Sequence, residues 1–192
     1  FELGPVGNDA PLVDLNGGPA GNDFTTTFTE GEPPRLIVND FGLNVIDNET
    51  GNVDGVAVTI TNLQDPGEEF LSAAPSGNVV VAYDSQAGVL SLTGLDTAAR
   101  YATILRTVRY HNTSQDPGTL QRQIAFVTTD ERDSLLHGTS TAFVNVNPIN
   151  TPPLVDLNGA AGGNGATAAF TEDAGPAAVV SAAAVVADID SP

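Results

Sequence analysis

The chain of 192 residues carries 24 acidic side chains, six arginines and no lysine, which gives a formal net charge of −18. Such a surface repels nucleic acid and anionic lipid, so we expect neither nucleic-acid binding nor membrane insertion. The absence of cysteine excludes disulfides and thiolate metal sites, whereas the surplus of carboxylates favours multivalent cations.

The first informative segment, residues 8–34, recurs at residues 150–176 without a gap, at a constant offset of 142 and with 15 of 27 positions identical. Repetition of this length indicates tandem units. We therefore expect an upstream linker (1–9), one complete repeat (10–147), a proline-rich linker (148–153) and the truncated start of the next repeat (154–192). Three prolines make the linker between the repeats semi-rigid.

Strand patterns dominate the complete repeat. Val56, Val58 and Ile60 alternate with small or polar residues, as in a half-buried strand. Residues 79–83 and 89–93 read as a hairpin around a turn at 84–88, and further alternation covers residues 107–111, 121–129 and 140–147. Many short strands separated by Gly/Pro turns predict an all-β fold, an antiparallel Greek-key β-sandwich.

One segment of the repeat has a helical pattern instead. Asp96 or Thr97 can cap a short helix in which Ala98, Tyr101, Leu105 and Val108 share a face. We expect about two turns, with Tyr101 and Leu105 pointing into the sandwich.

Four segments of the repeat (88–94, 105–112, 126–130 and 144–150) resemble the cadherin-like tandem repeats of large bacterial surface adhesins, often of the repeats-in-toxin type. The resemblance covers nearly the whole repeat and rests on patterned hydrophobic residues and turns. It implies a cadherin/immunoglobulin-like sandwich. It also implies a non-catalytic extender role in cell adhesion and biofilms, in a secreted or surface-anchored protein, with neighbouring repeats as partners.

The resemblance also implies calcium at the junctions between repeats, where cadherins collect oxygen ligands from three places. The corresponding residues here are Glu30 after an early strand, Asn147 and Asn150 in the linker, and Asp188 and Asp190 in the second repeat. Calcium requires six to eight such oxygens.

Three further acids belong to this expected set. Asp130, which precedes the last strand, is expected to add a ligand from the same end as Glu30, and Glu172 is the counterpart of Glu30 in the second repeat. If one residue is inserted, Val45 falls opposite Asp188, which leaves Asp47 alone on the upstream face of the first repeat.

A second candidate cation site is the Asp14-Leu15-Asn16-Gly17 loop, which recurs at residues 156–159. Alternating oxygen side chains and a glycine can wrap a cation. The same residue types are also selected by any tight turn, and the loop has no distal glutamate at EF-hand spacing.

An enzyme is not expected, because the chain has only two histidines, His111 and His137, and no Gly-x-Ser-x-Gly motif. Two alternatives stay open, a polysaccharide- or cell-binding module and an accessory module of a secreted hydrolase. Exposed tyrosines, or a patch formed by Arg100, Arg106, Arg109 and Arg122, would favour binding; buried tyrosines would favour the extender.

Overall fold

The computed structural model describes residues 7–18, 21–159 and 162–190. Their regular secondary structure is almost entirely β-strand, with one short helix, which confirms the predicted all-β class. Contacts divide the chain into two units, residues 1–148 and 149–192. The first six residues of the predicted upstream linker lie outside the described residues.

The first unit contains eleven strands and a helix among its described residues. In chain order they are β1 (Leu12–Asp14), β2 (Phe24–Thr29), β3 (Arg35–Leu36), β4 (Asn44–Ile46), β5 (Asn52–Ile60), β6 (Glu69–Ser72), β7 (Val80–Asp84), β8 (Val89–Thr97), α1 (Ala98–Leu105), β9 (Arg109–Asn112), β10 (Arg122–Thr129) and β11 (His137–Asn147). The strands predicted from alternation correspond to β5 and β7–β11.

The strands of this unit form three sheets. A six-stranded sheet has the order β2-β11-β10-β5-β8-β7, a three-stranded sheet has the order β3-β9-β6, and β1 pairs with β4. All strand pairs are antiparallel except β2 and β11, which run parallel from Phe24 beside Ala142 to Thr29 beside Asn147. The first long strand of the unit therefore ends beside the last one.

The core follows from the two-residue period of the strands. In the β5–β10 pairing, Val58 lies opposite Phe126 and Ile60 opposite Ile124, so these four side chains share one face. All four are at most 3% exposed. Burial of one such side chain contributes about 1.5–3 kcal/mol, which makes this face a main source of the unit's stability.

The helix α1 confirms the predicted position, length and orientation. Thr97 caps it, because its Oγ1 accepts a hydrogen bond from the backbone N–H of Arg100 at 3.2 Å. Tyr101 and Leu105 are fully buried, and the Tyr101 hydroxyl donates to the carbonyl of Gly94 at 2.7 Å. The helix thus closes one end of the core.

An ion-pair network is buried in the interior of the first unit. Arg122 and Glu69 are both fully buried and form an ion pair, and Arg122 Nη2 also contacts Asp65 Oδ2 at 2.7 Å. Glu69 Oε1 accepts a hydrogen bond from the Tyr110 hydroxyl at 2.6 Å, and Arg122 Nη1 donates to the carbonyl of Gly118 at 2.7 Å. The network links the Asp-Pro-Gly turn at 65–67 to the one at 116–118.

The second unit repeats the opening of the first. Its strands β12 (Leu154–Asp156) and β13 (Val185–Ala187) pair in the same antiparallel manner as β1 and β4. Residues that are buried in the first unit are exposed here: Val13 is 1% exposed and its counterpart Val155 50%, while Phe28 is 0% exposed and Phe170 72%. The apolar face of β12 and β13 thus lacks the cover that β10 and β11 give to the first unit.

Candidate metal centre

Oxygen side chains meet at the end of the first unit where β4 and β10 finish and β11 begins. Asn8 precedes β1, Asp47 follows β4 and Asp130 follows β10. Asn8 Nδ2 donates a hydrogen bond to Asp130 Oδ1 at 2.8 Å. We call Asn8, Asp47 and Asp130, together with Glu49, which follows Asp47 by two residues in the chain, the upstream cluster.

Asp130 anchors this cluster from within the fold. It is 1% exposed, and its Oδ1 accepts hydrogen bonds from the backbone N–H groups of Arg132 at 2.7 Å and Asp133 at 2.9 Å, besides the one from Asn8. Burial raises the pKa of Asp130, but these hydrogen bonds outweigh burial and hold the pKa below its usual value. The side chain is therefore a fixed carboxylate.

Asp47 is held in a similar way by the turn that follows β4. Its Oδ1 accepts from the backbone N–H groups of Glu49, Thr50 and Gly51 at 2.8–3.0 Å. Burial raises the pKa of Asp47, the three N–H groups lower it further than burial raises it, and the nearby charge of Asp130 opposes ionisation. The two carboxylates are thus close enough to repel each other.

Three oxygens of the upstream cluster are shielded from solvent and have no hydrogen-bond donor: Asn8 Oδ1, Asp47 Oδ2 and Glu49 Oε2. A buried acceptor without a donor costs roughly 1–3 kcal/mol, more when it is charged. A hard cation bound by these oxygens would remove this cost. Among the described residues, no three Asp, Glu or His side chains form a metal-holding group by themselves, so a cation here also needs amide or main-chain oxygens.

The second unit has two acidic residues at equivalent positions, and its strand register corrects the sequence alignment. Leu12 pairs with Ile46, and Leu154 pairs with Ala187. Asp188 is therefore the counterpart of Asp47, and Asp190 the counterpart of Glu49. The expectation that Val45 stands opposite Asp188 was wrong, because the second unit is one residue shorter before this strand rather than longer.

The corrected alignment gives the first unit its own pair of acids at alternate positions. Asp47 is not alone, since Glu49 follows it by two residues and the charge of Asp130 acts on it. Val45 is a core residue of β4 that is 6% exposed. The sequence signal for this site is a pair of acidic residues at alternate positions directly after a buried strand, as Asp47 and Glu49 are after β4.

In the second unit the two acids approach each other directly. Asp190 Oδ2 accepts a hydrogen bond from the backbone N–H of Thr151 at 2.6 Å, which lowers the pKa of Asp190. Contact with the Asp190 carboxyl group raises the pKa of Asp188. The Oδ1 atoms of both residues are shielded from solvent and lack a donor, as in the first unit. Asn150, the counterpart of Asn8, is exposed, and its Nδ2 lies 3.4 Å from the carbonyl oxygen of Thr151.

Glu30 and Asn147 lie at the opposite, downstream end of the first unit. The parallel pairing of β2 and β11 brings them together, and the backbone N–H of Glu30 donates to the carbonyl of Asn147 at 2.9 Å. Glu30 is 8% exposed, whereas its counterpart Glu172 is exposed. Asp130 does not share this end as expected, because β10 runs antiparallel to β11 and finishes where β11 begins.

The Asp14–Asn16 loop is explained by its own hydrogen bonds. Asp14 Oδ1 accepts from the backbone N–H groups of Asn16 at 3.0 Å and Gly17 at 2.8 Å, and Asn16 Oδ1 accepts from Gly18 at 2.6 Å. The loop of the second unit repeats the bonds to Asp156. Gly17 has φ +64°, and a Cβ there would overlap the backbone of Gly42. The motif therefore fits a tight turn.

The arginines and tyrosines of the first unit serve mainly internal contacts. Arg122 is fully buried, and Arg106 donates to the carbonyl of Leu43 at 2.7 Å. Tyr101 and Tyr110 are fully buried, and the half-buried Tyr83 donates to the carbonyl of Glu69 at 2.7 Å. The alternative of a four-arginine patch is not supported, because Arg122 is fully buried, and the tyrosines do not form an exposed platform.

Comparison of the sequence with known protein families and with curated proteins finds no match. Within the described ranges, no helix has the length and apolar character needed to cross a membrane.

Proposed function

We propose that the first unit is a non-catalytic, calcium-stabilised extender module of a tandem-repeat surface adhesin, with a cadherin-like Greek-key sandwich as its fold. One observation carries the proposal. Solvent-shielded carboxylate oxygens without a donor recur at equivalent positions of two successive units, at Asp47 and Glu49 in the first and at Asp188 and Asp190 in the second. Recurrence in two units is expected of a structural site that every repeat uses.

Calcium is the cation that fits this chemistry. The upstream cluster offers only carboxylate and amide oxygens, which are ligands of a hard cation, and the chain has no cysteine and only two histidines to bind softer metals. A divalent ion would turn the repulsion between Asp47 and Asp130 into attraction and would give the shielded oxygens a partner. The prediction that Glu30, Asn147 and Asn150 complete a site with Asp188 and Asp190 remains a prediction.

The extender role is supported by what the first unit does with its large side chains. Tyr101 and Tyr110 are buried, and the ion pair between Arg122 and Glu69 lies in the interior, so these groups stabilise the unit itself. In tandem-repeat proteins each repeat contacts mainly its neighbours, so a repeat with its own core can serve as a spacer. The setting that we propose is extracellular.

The test is thermal unfolding of the chain with calcium and with chelator, together with calorimetric titration. With calcium about 100-fold above its dissociation constant we expect a rise of about 5–10 °C in Tm, because binding adds to the stability of the folded state. The double variant Asp47→Asn/Glu49→Gln should lose this response.

The variant Asp40→Asn/Glu68→Gln is the matched control, because it removes two negative charges from exposed positions outside the cluster. It should keep the full calcium response. Equal Tm values for the original chain in calcium and in chelator would contradict the proposal. Glu30→Gln tests the downstream end separately, since it should leave binding to the upstream cluster intact.

A further inference from the structure

A groove of about 410 Å³ opens on the side of the first unit, along the edge strands β2 and β3. Phe24, Leu36 and Val38 supply its apolar wall, with Pro33 and Pro34 beside them. Thr26, Glu32, Arg35 and Arg109 supply its polar groups. Its volume lies within the range of small-ligand sites, and its lining combines an apolar wall with a few polar groups.

Two of the six arginines of an acidic chain lie in this groove without a carboxylate partner. Among the described residues, only Arg122 forms an ion pair with an acidic side chain. Arg35 Nε donates to Thr26 Oγ1 at 3.2 Å, and Arg109 Nη1 donates to the carbonyl of Pro34 at 2.9 Å. One such bond orients each guanidinium and leaves most of its five N–H donors for an acceptor from outside.

Glu32 adds the opposite requirement. Its carboxylate lines the groove, so a ligand that fills the groove would gain by presenting a hydrogen-bond donor to it. The groove therefore favours a ligand with a carboxylate or similar anion near Arg35 and Arg109 and a hydroxyl donor near Glu32. Such a ligand should also present a flat apolar face to Phe24 and the prolines.

We propose that this groove binds a uronic-acid unit of an acidic saccharide. A uronate carries a carboxylate, several hydroxyl donors and an apolar ring face on one small ring. A phosphate or sulfate group fits less well, because it offers no hydroxyl donor to Glu32 and its greater charge density is repelled by that carboxylate. This inference concerns a ligand and goes beyond the structural role proposed above.

The charge of the whole chain sets the form of the ligand. With a net charge of −18, a long polyanion is repelled over a distance set by the Debye length of about 10 Å at 0.1 M salt. A short uronate carries only a few negative charges, and in the groove two arginines, Arg35 and Arg109, stand against one acid, Glu32. Binding should therefore be stronger for an oligomer of a few units at moderate salt than for the polymer at low salt.

The experiment is a titration of the chain with trigalacturonate, followed by NMR chemical shifts and by calorimetry. We expect saturable shifts confined to residues 24–38 and to the neighbourhood of Arg109. Arg35→Gln and Arg109→Gln should each weaken binding about tenfold or more, since each removes charge-assisted hydrogen bonds. Arg100→Gln, an exposed arginine that contacts Ser76, is the matched control and should bind as the original chain does.

Three outcomes would overturn the inference. One is equal binding of a neutral trisaccharide, and another is tighter binding of a sulfated trisaccharide, because either shows that the carboxylate is not what the groove selects. The third is a shift pattern centred on the upstream cluster that disappears in Asp47→Asn/Glu49→Gln, because uronates also bind calcium and would then be held through the ion. If the original chain shows no calcium response while groove binding is intact, only the extender proposal is contradicted.

Discussion

Replacing Arg122 with methionine tests how much the buried ion pair contributes to the first unit. Methionine keeps much of the length and apolar character of the arginine stem but leaves Glu69 buried with no cation, and Asp65 loses its 2.7 Å contact with the guanidinium. Breaking a buried pair from one side costs about 3–5 kcal/mol. Glu69 still accepts from the Tyr110 hydroxyl and from the backbone N–H of Gln64, which places the expected loss near 3 kcal/mol.

The assay is urea unfolding at neutral pH, with the free energy of unfolding and the m-value fitted for each variant. A loss of about 3 kcal/mol is large against a typical domain stability of about 5–15 kcal/mol. Arg100→Met, which changes an exposed arginine, should stay within about 0.5 kcal/mol of the original. The double variant Arg122→Met/Glu69→Gln should recover part of the loss because it removes the uncompensated charge. A loss below about 1 kcal/mol in Arg122→Met, or no recovery in the double variant, would refute this account.

Two further outcomes are expected. Burial raises the pKa of Glu69, but the hydrogen bonds from Tyr110 and Arg122 outweigh burial, so the folded pKa lies below the ordinary 4.5. The stability that Glu69 contributes is therefore complete above pH 4.5 and is lost as the pH falls towards the folded pKa. In urea unfolding measured across this pH range, Glu69→Gln should show a flatter acid profile. Thr97→Ala removes the cap of α1 and should cost about 1 kcal/mol in the same assay, while Thr97→Ser should keep most of the stability; equal losses in both variants would show that the hydroxyl is not the cause.

The sequence predicted those elements whose side chains follow a regular period over enough residues. β5, β10 and α1 show such periods, and each lies where it was expected. The strands β3 and β4 were missed because β3 has two residues and β4 three, which is too short for alternation to be recognised. Their pairing is decided by partners distant in the chain.

The candidate site was predicted in composition but not in arrangement. Asp47 and Asp130 were named, yet Asp130 was assigned to the same end as Glu30. The sequences of β10 and β11 do not reveal the relative direction of the two strands, and this direction decides the end at which Asp130 lies. Glu49 was missed because Val45-Ile46-Asp47 and Asp188-Ile189-Asp190 both end in Ile-Asp and were aligned on that identity. The pairing of β12 with β13 gives the correct register. Arg122 was assigned to the surface because a buried arginine is rare and its partner Glu69 lies 53 residues away.

The parallel pairing of β2 with β11 determines how the first unit would respond to a pulling force. Six residue pairs join these strands, from Phe24 beside Ala142 to Thr29 beside Asn147. When the chain is pulled from both ends, the start of β2 is drawn one way and the end of β11 the other, so the force acts along the strands. The hydrogen bonds between them must then break together in shear rather than one after another as in unzipping. A unit that is connected in this way is expected to resist unfolding by tension along the chain, because all of these hydrogen bonds share the load.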